Sequence, residues 1–284
     1  MSGPLHFVAP TALEYFAALV ADDASLPVLE AAVAVAQDDN PGLDVQGVLA
    51  QIDGLADRLC RRIPADAAPL QRLRLLNRYF FQELGFAGNV NDYYDPRNSY
   101  LPEVLQTRRG IPLTLALLYI ELATQAGLHA QGVSFPGHFL VKLRLPRGEV
   151  IIDPFNGRSL SRAELDALLQ PLRTERGLVD DDEAPLGLFL QAASARDVVA
   201  RLLRNLREIH RSADDLERLA AVLRRLVILL PQAGDERREL ALVLAELGQH
   251  GLAADELAVY LQQRPSASDA EGLRRQLAAW RSLR

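Results

Sequence analysis

The segment from Leu113 to Ala126 is apolar on nearly every face of a helix. Such a helix is stable only when other elements cover it all round, so the rest of the chain must fold as a wrap around it. Pro112 suits its first turn, where the missing N–H is not needed, and Gly127 marks its end. Few architectures bury one helix so completely, and the flanking sequence decides between them.

Upstream the patterning is helical. Thr11 and Glu14 have capping-box spacing. Val45, Val48, Leu49, Ile52, Leu55, Leu59 and Ile63 share one helical face between Asp44 and Pro64. The same pattern runs from Leu70 to Leu84 and stops at Gly85. The stretch Asn91-Asp92-Tyr93-Tyr94-Asp95-Pro96-Arg97-Asn98 is dense in turn formers and reads as a loop, followed by a short helix from Ser99 to Arg108.

Downstream of Gly127 the period shifts towards two. Strands are expected over 131–135, 138–145 and 149–153, the last two joined by a hairpin at Pro146-Arg147-Gly148. Ser161 and Glu164 open a closing helix. An acidic break, Asp180-Asp181-Asp182-Glu183-Ala184-Pro185, separates this part from a helical region with a repeat. Leu206 and Leu240, Leu223 and Leu257, and Pro231 and Pro265 are each 34 residues apart. Leu240, Leu244, Gly248, Ala253, Leu257 and Pro265 occupy tetratricopeptide packing and helix-end positions. A helix pair of that length buries its apolar face by stacking on its neighbours. The fold class expected is thus α+β, mainly helical, with a small antiparallel sheet. Residues 1–183 form one domain and 184–284 a tetratricopeptide-like helical one.

Composition narrows the function. A net charge of -6 opposes a duplex nucleic-acid partner, which needs a concentrated basic surface. One cysteine, Cys60, cannot form an internal disulfide. The N-terminus lacks a basic segment followed by an apolar run, and no stretch reaches the length of a membrane span. A cytoplasmic location is expected. Arginine supplies every basic residue but Lys142, a bias that fits a GC-rich bacterium. No Gly-rich loop precedes a helix, and His6, His129, His210 and His250 are scattered without metal-ligand spacing, so neither cofactor nor metal is expected.

His138 is the outstanding reactive group. It follows Pro136-Gly137, and a two-residue hairpin loop sets Asp153 opposite Leu140, diagonal to His138 on one face. A carboxylate beside an imidazole orients it as the base of a catalytic triad, or simply holds the hairpin together. Both readings stand on spacing alone. Cys60 sits on an apolar helix face, where a thiol is ordinarily inert. Thr114 is expected to bond back to its own helix, while Ser99 and Ser134 lie near the motifs. Arg108-Arg109 is read as capping a helix C-terminus.

Arg108-Arg109-Gly110-Ile111-Pro112-Leu113-Thr114-Leu115, then Phe135-Pro136-Gly137-His138-Phe139-Leu140-Val141, then Ile152-Asp153-Pro154-Phe155 together resemble the transglutaminase-like member of the bacterial SirB proteins. The resemblance implies a papain/transglutaminase-like core, a buried helix on an antiparallel sheet, ahead of tetratricopeptide-type helices. It also implies a triad in which a cysteine opens the buried helix and a histidine and an aspartate follow on strands. His138 and Asp153 match the last two; Pro112, or a neighbour, stands where the cysteine belongs. The expected cleft is bordered by Asn98, Arg109 and Pro112. The function that follows is a non-catalytic regulatory or scaffolding protein that binds a protein or peptide partner through its C-terminal helices. The alternative is a hydrolase or acyl transferase that uses His138–Asp153 with a non-cysteine nucleophile.

Overall fold

The computed structural model describes residues 10–176 and 185–283. His6, most of the acidic break and the expected boundary between residues 183 and 184 lie outside these. The described residues pack into two compact units. The core unit comprises residues 28–33, 44–176 and 185–202; the helical unit comprises 10–27, 34–43 and 203–283.

In chain order the helices are α1 (Ala12–Leu19), α2 (Val28–Ala34), α3 (Val45–Cys60), α4 (Pro69–Asn77), α5 (Leu101–Thr107), α6 (Pro112–Gln125), α7 (Arg162–Arg176), α8 (Leu186–Phe189), α9 (Ala195–Ser212), α10 (Leu216–Leu229), α11 (Gly234–Glu246), α12 (His250–Gln263) and α13 (Ala270–Arg281). The strands are β1 (Ala87–Gly88), β2 (Arg109–Gly110), β3 (His129–Val133), β4 (Leu140–Leu145), β5 (Gly148–Asp153) and β6 (Arg158–Leu160).

The wrapped helix is α6. Leu113, Leu115, Ala116, Leu118, Tyr119 and Leu122 are all buried, and α3, β3 and β4 pack on it. Pro112 occupies its first turn after an extended Ile111. At the other end Gly127, at φ +76°, turns the chain so that the Leu128 N–H reaches the Ala123 carbonyl, which satisfies an otherwise orphaned acceptor.

β3, β4, β5 and β6 form one antiparallel meander in that order. The β4–β5 register, Val141 opposite Ile152 and Leu145 opposite Gly148, leaves Pro146-Arg147 as the two-residue turn. Continued by one step it sets Asp153 opposite Leu140, as expected. Val133, Phe135, Leu140 and Ile151 form a second buried layer with Leu165 and Leu169 of α7 and Leu186 of α8. The strand containing His138 was expected to begin there; β4 starts only at Leu140. Residues 136–137 form a turn in which the His138 N–H bonds the Phe135 carbonyl, so the backbone at His138 is not free for pairing.

A helix was also expected to run unbroken to Leu84. It widens instead after Asn77 into a π-helical turn, Arg78–Glu83, closed by the Leu84 N–H on the Tyr79 carbonyl. The wider turn lets neighbouring Phe80 and Phe81 both reach Tyr119 of α6, at ring centroid distances of 5.3 and 5.6 Å. Packing overrides the regular period there.

In the helical unit, α10 packs on α11, α11 on α12 and α12 on α13, the succession expected of stacked helix pairs. The 34-residue offset is structural: Leu206 and Leu240 are both buried, as are Leu223 and Leu257. Gly248 at φ +72° ends α11. The capping box at Thr11 and Glu14 opens α1, which packs against α10. There Arg225 is 0% exposed, pairs twice with Asp38 at 2.7 Å and lies 4.9 Å over the Phe16 ring.

Candidate functional site

The start of α6 is the position the triad logic singles out. Asn98, only 3% exposed, fastens it. Its backbone carbonyl accepts the Ile111 N–H at 3.2 Å and the Thr114 hydroxyl at 2.8 Å. Its side chain donates to the carbonyls of Asp92, at 2.7 Å, and Tyr93, at 3.2 Å, and accepts from Asn89 Nδ2 at 3.0 Å. One buried amide thus ties the whole Asn89–Asn98 loop to the helix start. Two glycines permit the close approach. A Cβ on Gly110 would lie 2.7 Å from Thr114 Oγ1, and one on Gly88 would lie 2.1 Å from the Phe155 ring.

Asp153 and His138 stand at the strand ends. Asp153 ends β5, and its carboxylate accepts the Phe155 N–H at 2.9 Å and Asn156 Nδ2 at 2.8 Å. Phe155 bonds back to Gly88 through its carbonyl, and its ring lies 6.1 Å from Tyr93. His138 is half-buried and held from below by Arg201 of α9. Arg201 Nη2 donates to the His138 carbonyl at 2.7 Å, Nη1 to Ser134 Oγ at 2.6 Å and to the Phe135 carbonyl at 3.3 Å. Among the described residues no hydrogen bond or ion pair joins His138 to Asp153.

The candidate nucleophiles are accounted for one by one. Thr114 spends its hydroxyl proton on backbone carbonyls, at Asn98 and at Ile111 (3.1 Å), which is the back-bonding expected of it. Ser134 accepts from Arg201, and Ser99 is fully buried. Cys60 Sγ lies 3.3 Å from the Gln125 carbonyl, at the far end of α6. That is the length of the helix, ~20 Å, from Pro112. Burial pushes its thiol up, aided by Asp57 and opposed by Arg72, so the thiolate is disfavoured.

Arg109 is engaged by the backbone: its Nη1 donates to the carbonyls of Gly85 and Arg108, beside β1 and β2. Arg108 takes the left-handed conformation, φ 61°, at the C-cap of α5, with its guanidinium 4.7 Å over Phe86. Asn98 is thus tied to the α6 start and Asp153 to Phe155, which lies 6.1 Å from Tyr93, while His138 is held separately by Arg201 and Arg109 serves the adjoining strand pair. Arg201 is the residue the sequence did not announce. It stands beyond the acidic break, and no local motif marks it. Among the described residues no group of three His, Cys, Asp or Glu side chains is placed to hold a metal ion.

A buried helix on an antiparallel meander, followed by stacked helix pairs, fits a transglutaminase-like core joined to tetratricopeptide repeats. Comparison with known proteins agrees. The transglutaminase-like superfamily pattern matches residues 46–204, and a tetratricopeptide-repeat pattern matches 206–278. A UPF0162 protein of Xylella fastidiosa is 36% identical over 254 residues, which span 89% of each chain. One of Pseudomonas aeruginosa is 33% identical over 188 residues, 66% of each. Human F-box only protein 21 is 31% identical over 136 residues, 40% of this chain and 22% of that one. The chain belongs to the UPF0162 family of bacterial proteins, the SirB-type group.

Proposed function

We propose that the chain is a non-catalytic regulatory or scaffolding protein of the cytoplasm, one that binds a protein partner through its C-terminal helices. The observation that carries this reading is the composition of the α6 start. Pro112 has no nucleophilic atom, and the nearest hydroxyl on the helix, Thr114, is bonded to two backbone carbonyls. The Asp153 carboxylate is bonded to its own turn, which leaves the imidazole of His138 without the orienting partner that triad chemistry uses. Both halves of acyl-transfer machinery are thereby weakened at once.

Tetratricopeptide repeats generally mediate protein–protein contacts, which supports assigning the partner surface to α9–α13. Leu252 of α12 is 52% exposed, a large apolar side chain on that surface. A photo-crosslinking residue in place of Leu252 tests the reading in bacteria that express the full-length protein. The expected result is a discrete protein adduct, lost when neighbouring surface residues of α12 are charge-reversed. If the repeat positions yield no adduct, the helices are not the partner surface.

A further inference from the structure

The 34-residue repeat changes character at the end of α12, and a cavity lies there. In the preceding repeat the end of α10 carries Leu226, Leu229 and Leu230, the first two without exposed surface. The matching positions of α12 are Tyr260, Gln263 and Arg264. These three, with Pro265, Ser266 and Ala267 of the following turn, line a cavity of about 340 Å³. That volume admits a small organic molecule.

The cavity wall is fixed by its own contacts. Gln263 Nε2 donates to the Pro231 carbonyl at 3.1 Å, the Ala267 N–H to the Arg264 carbonyl at 3.2 Å, and Arg274 Nη2 to the Pro265 carbonyl at 2.8 Å. A Cβ on Gly234 of α11 would lie 3.3 Å from Arg264 Nε and 3.5 Å from the Tyr260 ring. Arginine and ring therefore stand beside one another against the same glycine.

Two groups on this wall are unmatched. Arg264 is exposed, and among the described residues no acceptor bonds its guanidinium. Carboxylates of the same helices are engaged elsewhere: Asp269 by Arg238, Glu256 by Arg237 and Glu236 by Arg204. Gln263 Oε1 is buried and has no hydrogen-bond partner among the described residues. Its amide nitrogen is spent on a carbonyl, which accepts only from an N–H, so the orientation of the amide is settled. The polar outer face of a terminal repeat accounts for an exposed arginine, but not for a covered amide oxygen left unbonded.

We propose that this cavity binds a small carboxylic acid with an N–H donor next to its carboxylate, either a free amino acid or the last residue of a peptide. The carboxylate pairs with Arg264, the N–H bonds Gln263 Oε1, and an apolar side chain rests on Tyr260 and Pro265. One lining guanidinium matches one carboxylate with paired N–H donors, whereas a phosphate dianion would be left half-neutralised. The site is for a small ligand and stands apart from the protein partner assigned to the same helices.

Calorimetric titration of the full-length protein with L-leucine, acetyl-alanyl-leucine, leucinamide and 4-methylpentanoate tests it. L-leucine or acetyl-alanyl-leucine is expected to bind, and the tighter of the two distinguishes a free amino acid from a chain end. Leucinamide lacks the carboxylate and 4-methylpentanoate the N–H, so each should bind about tenfold more weakly. Arg264→Gln, at an exposed side chain, should lower the affinity about tenfold with unchanged urea stability. Gln263→Leu, which restores the residue type of the preceding repeat, should erase the advantage over 4-methylpentanoate. The proposal is overturned if neither L-leucine nor acetyl-alanyl-leucine binds at ~10 mM. Equal binding of leucinamide, undiminished affinity in Arg264→Gln, or an N–H preference that survives Gln263→Leu also overturns it.

Discussion

At the scale of single residues, the helical unit contains a fully buried charge whose partner should be costly to remove. Arg225 has no exposed surface, and Asp38 neutralises it from a segment far away in sequence. Asp38→Ala leaves a buried guanidinium uncompensated, which is expected to cost about 3–5 kcal/mol in urea unfolding. A loss below about 1 kcal/mol would mean the pair is dispensable. His210 offers a prediction in pH. Burial holds its imidazole below the ordinary histidine value, joined by Arg218 and opposed by Asp215, Asp39 and Asp38. The unfolded chain then binds the proton more tightly than the folded one. Stability is full above roughly pH 6.5 and should fall as pH drops through that value towards the folded one. Urea midpoints between pH 8 and 5 should show the decline, and His210→Asn should flatten it. A midpoint that rises on acidification contradicts the assignment. The depressed carboxyls of Asp215 and Glu236 act in a separate window, since their contribution is lost only below the usual carboxylate range.

At the scale of elements, the sequence was most legible where periodicity and caps agree. The all-apolar α6, the capping boxes at Thr11 and Ser161, the Pro146-Arg147 hairpin and the 34-residue repeat all appear where local chemistry placed them. Local chemistry failed where distant packing decides. The π-helical turn before Gly85 answers to Tyr119, which no window around Phe80 contains. Residue types and order singled out His138, Asp153, Asn98 and Pro112 as candidates, but spacing could not show that Asp153 would spend its oxygens on Phe155 and Asn156. Nor could it show Arg201, because α9 reaches His138 across 63 residues. The stretch after the acidic break carries an element-scale prediction. Leu186 of α8 is buried with Phe135, Leu165 and Leu169. Leu186→Ala should therefore cost about 2–3 kcal/mol, read as a lowered urea midpoint. A neutral substitution would show that α8 adds nothing to this layer.

At the scale of the whole molecule, a transglutaminase-like core and tetratricopeptide repeats share one chain, and among the described residues no helix is long and apolar enough to cross a membrane. The α6 start carries a proline and a hydroxyl already bonded to backbone carbonyls. The proposed function requires that His138 does no chemistry. The most direct measurement incubates the full-length protein with a glutamine-donor peptide and a labelled amine, and separately with an activated ester, beside the His138→Ala variant. The account predicts rates indistinguishable from that variant and from buffer in both assays. Turnover that disappears in His138→Ala, in a variant with unchanged urea stability, would contradict it.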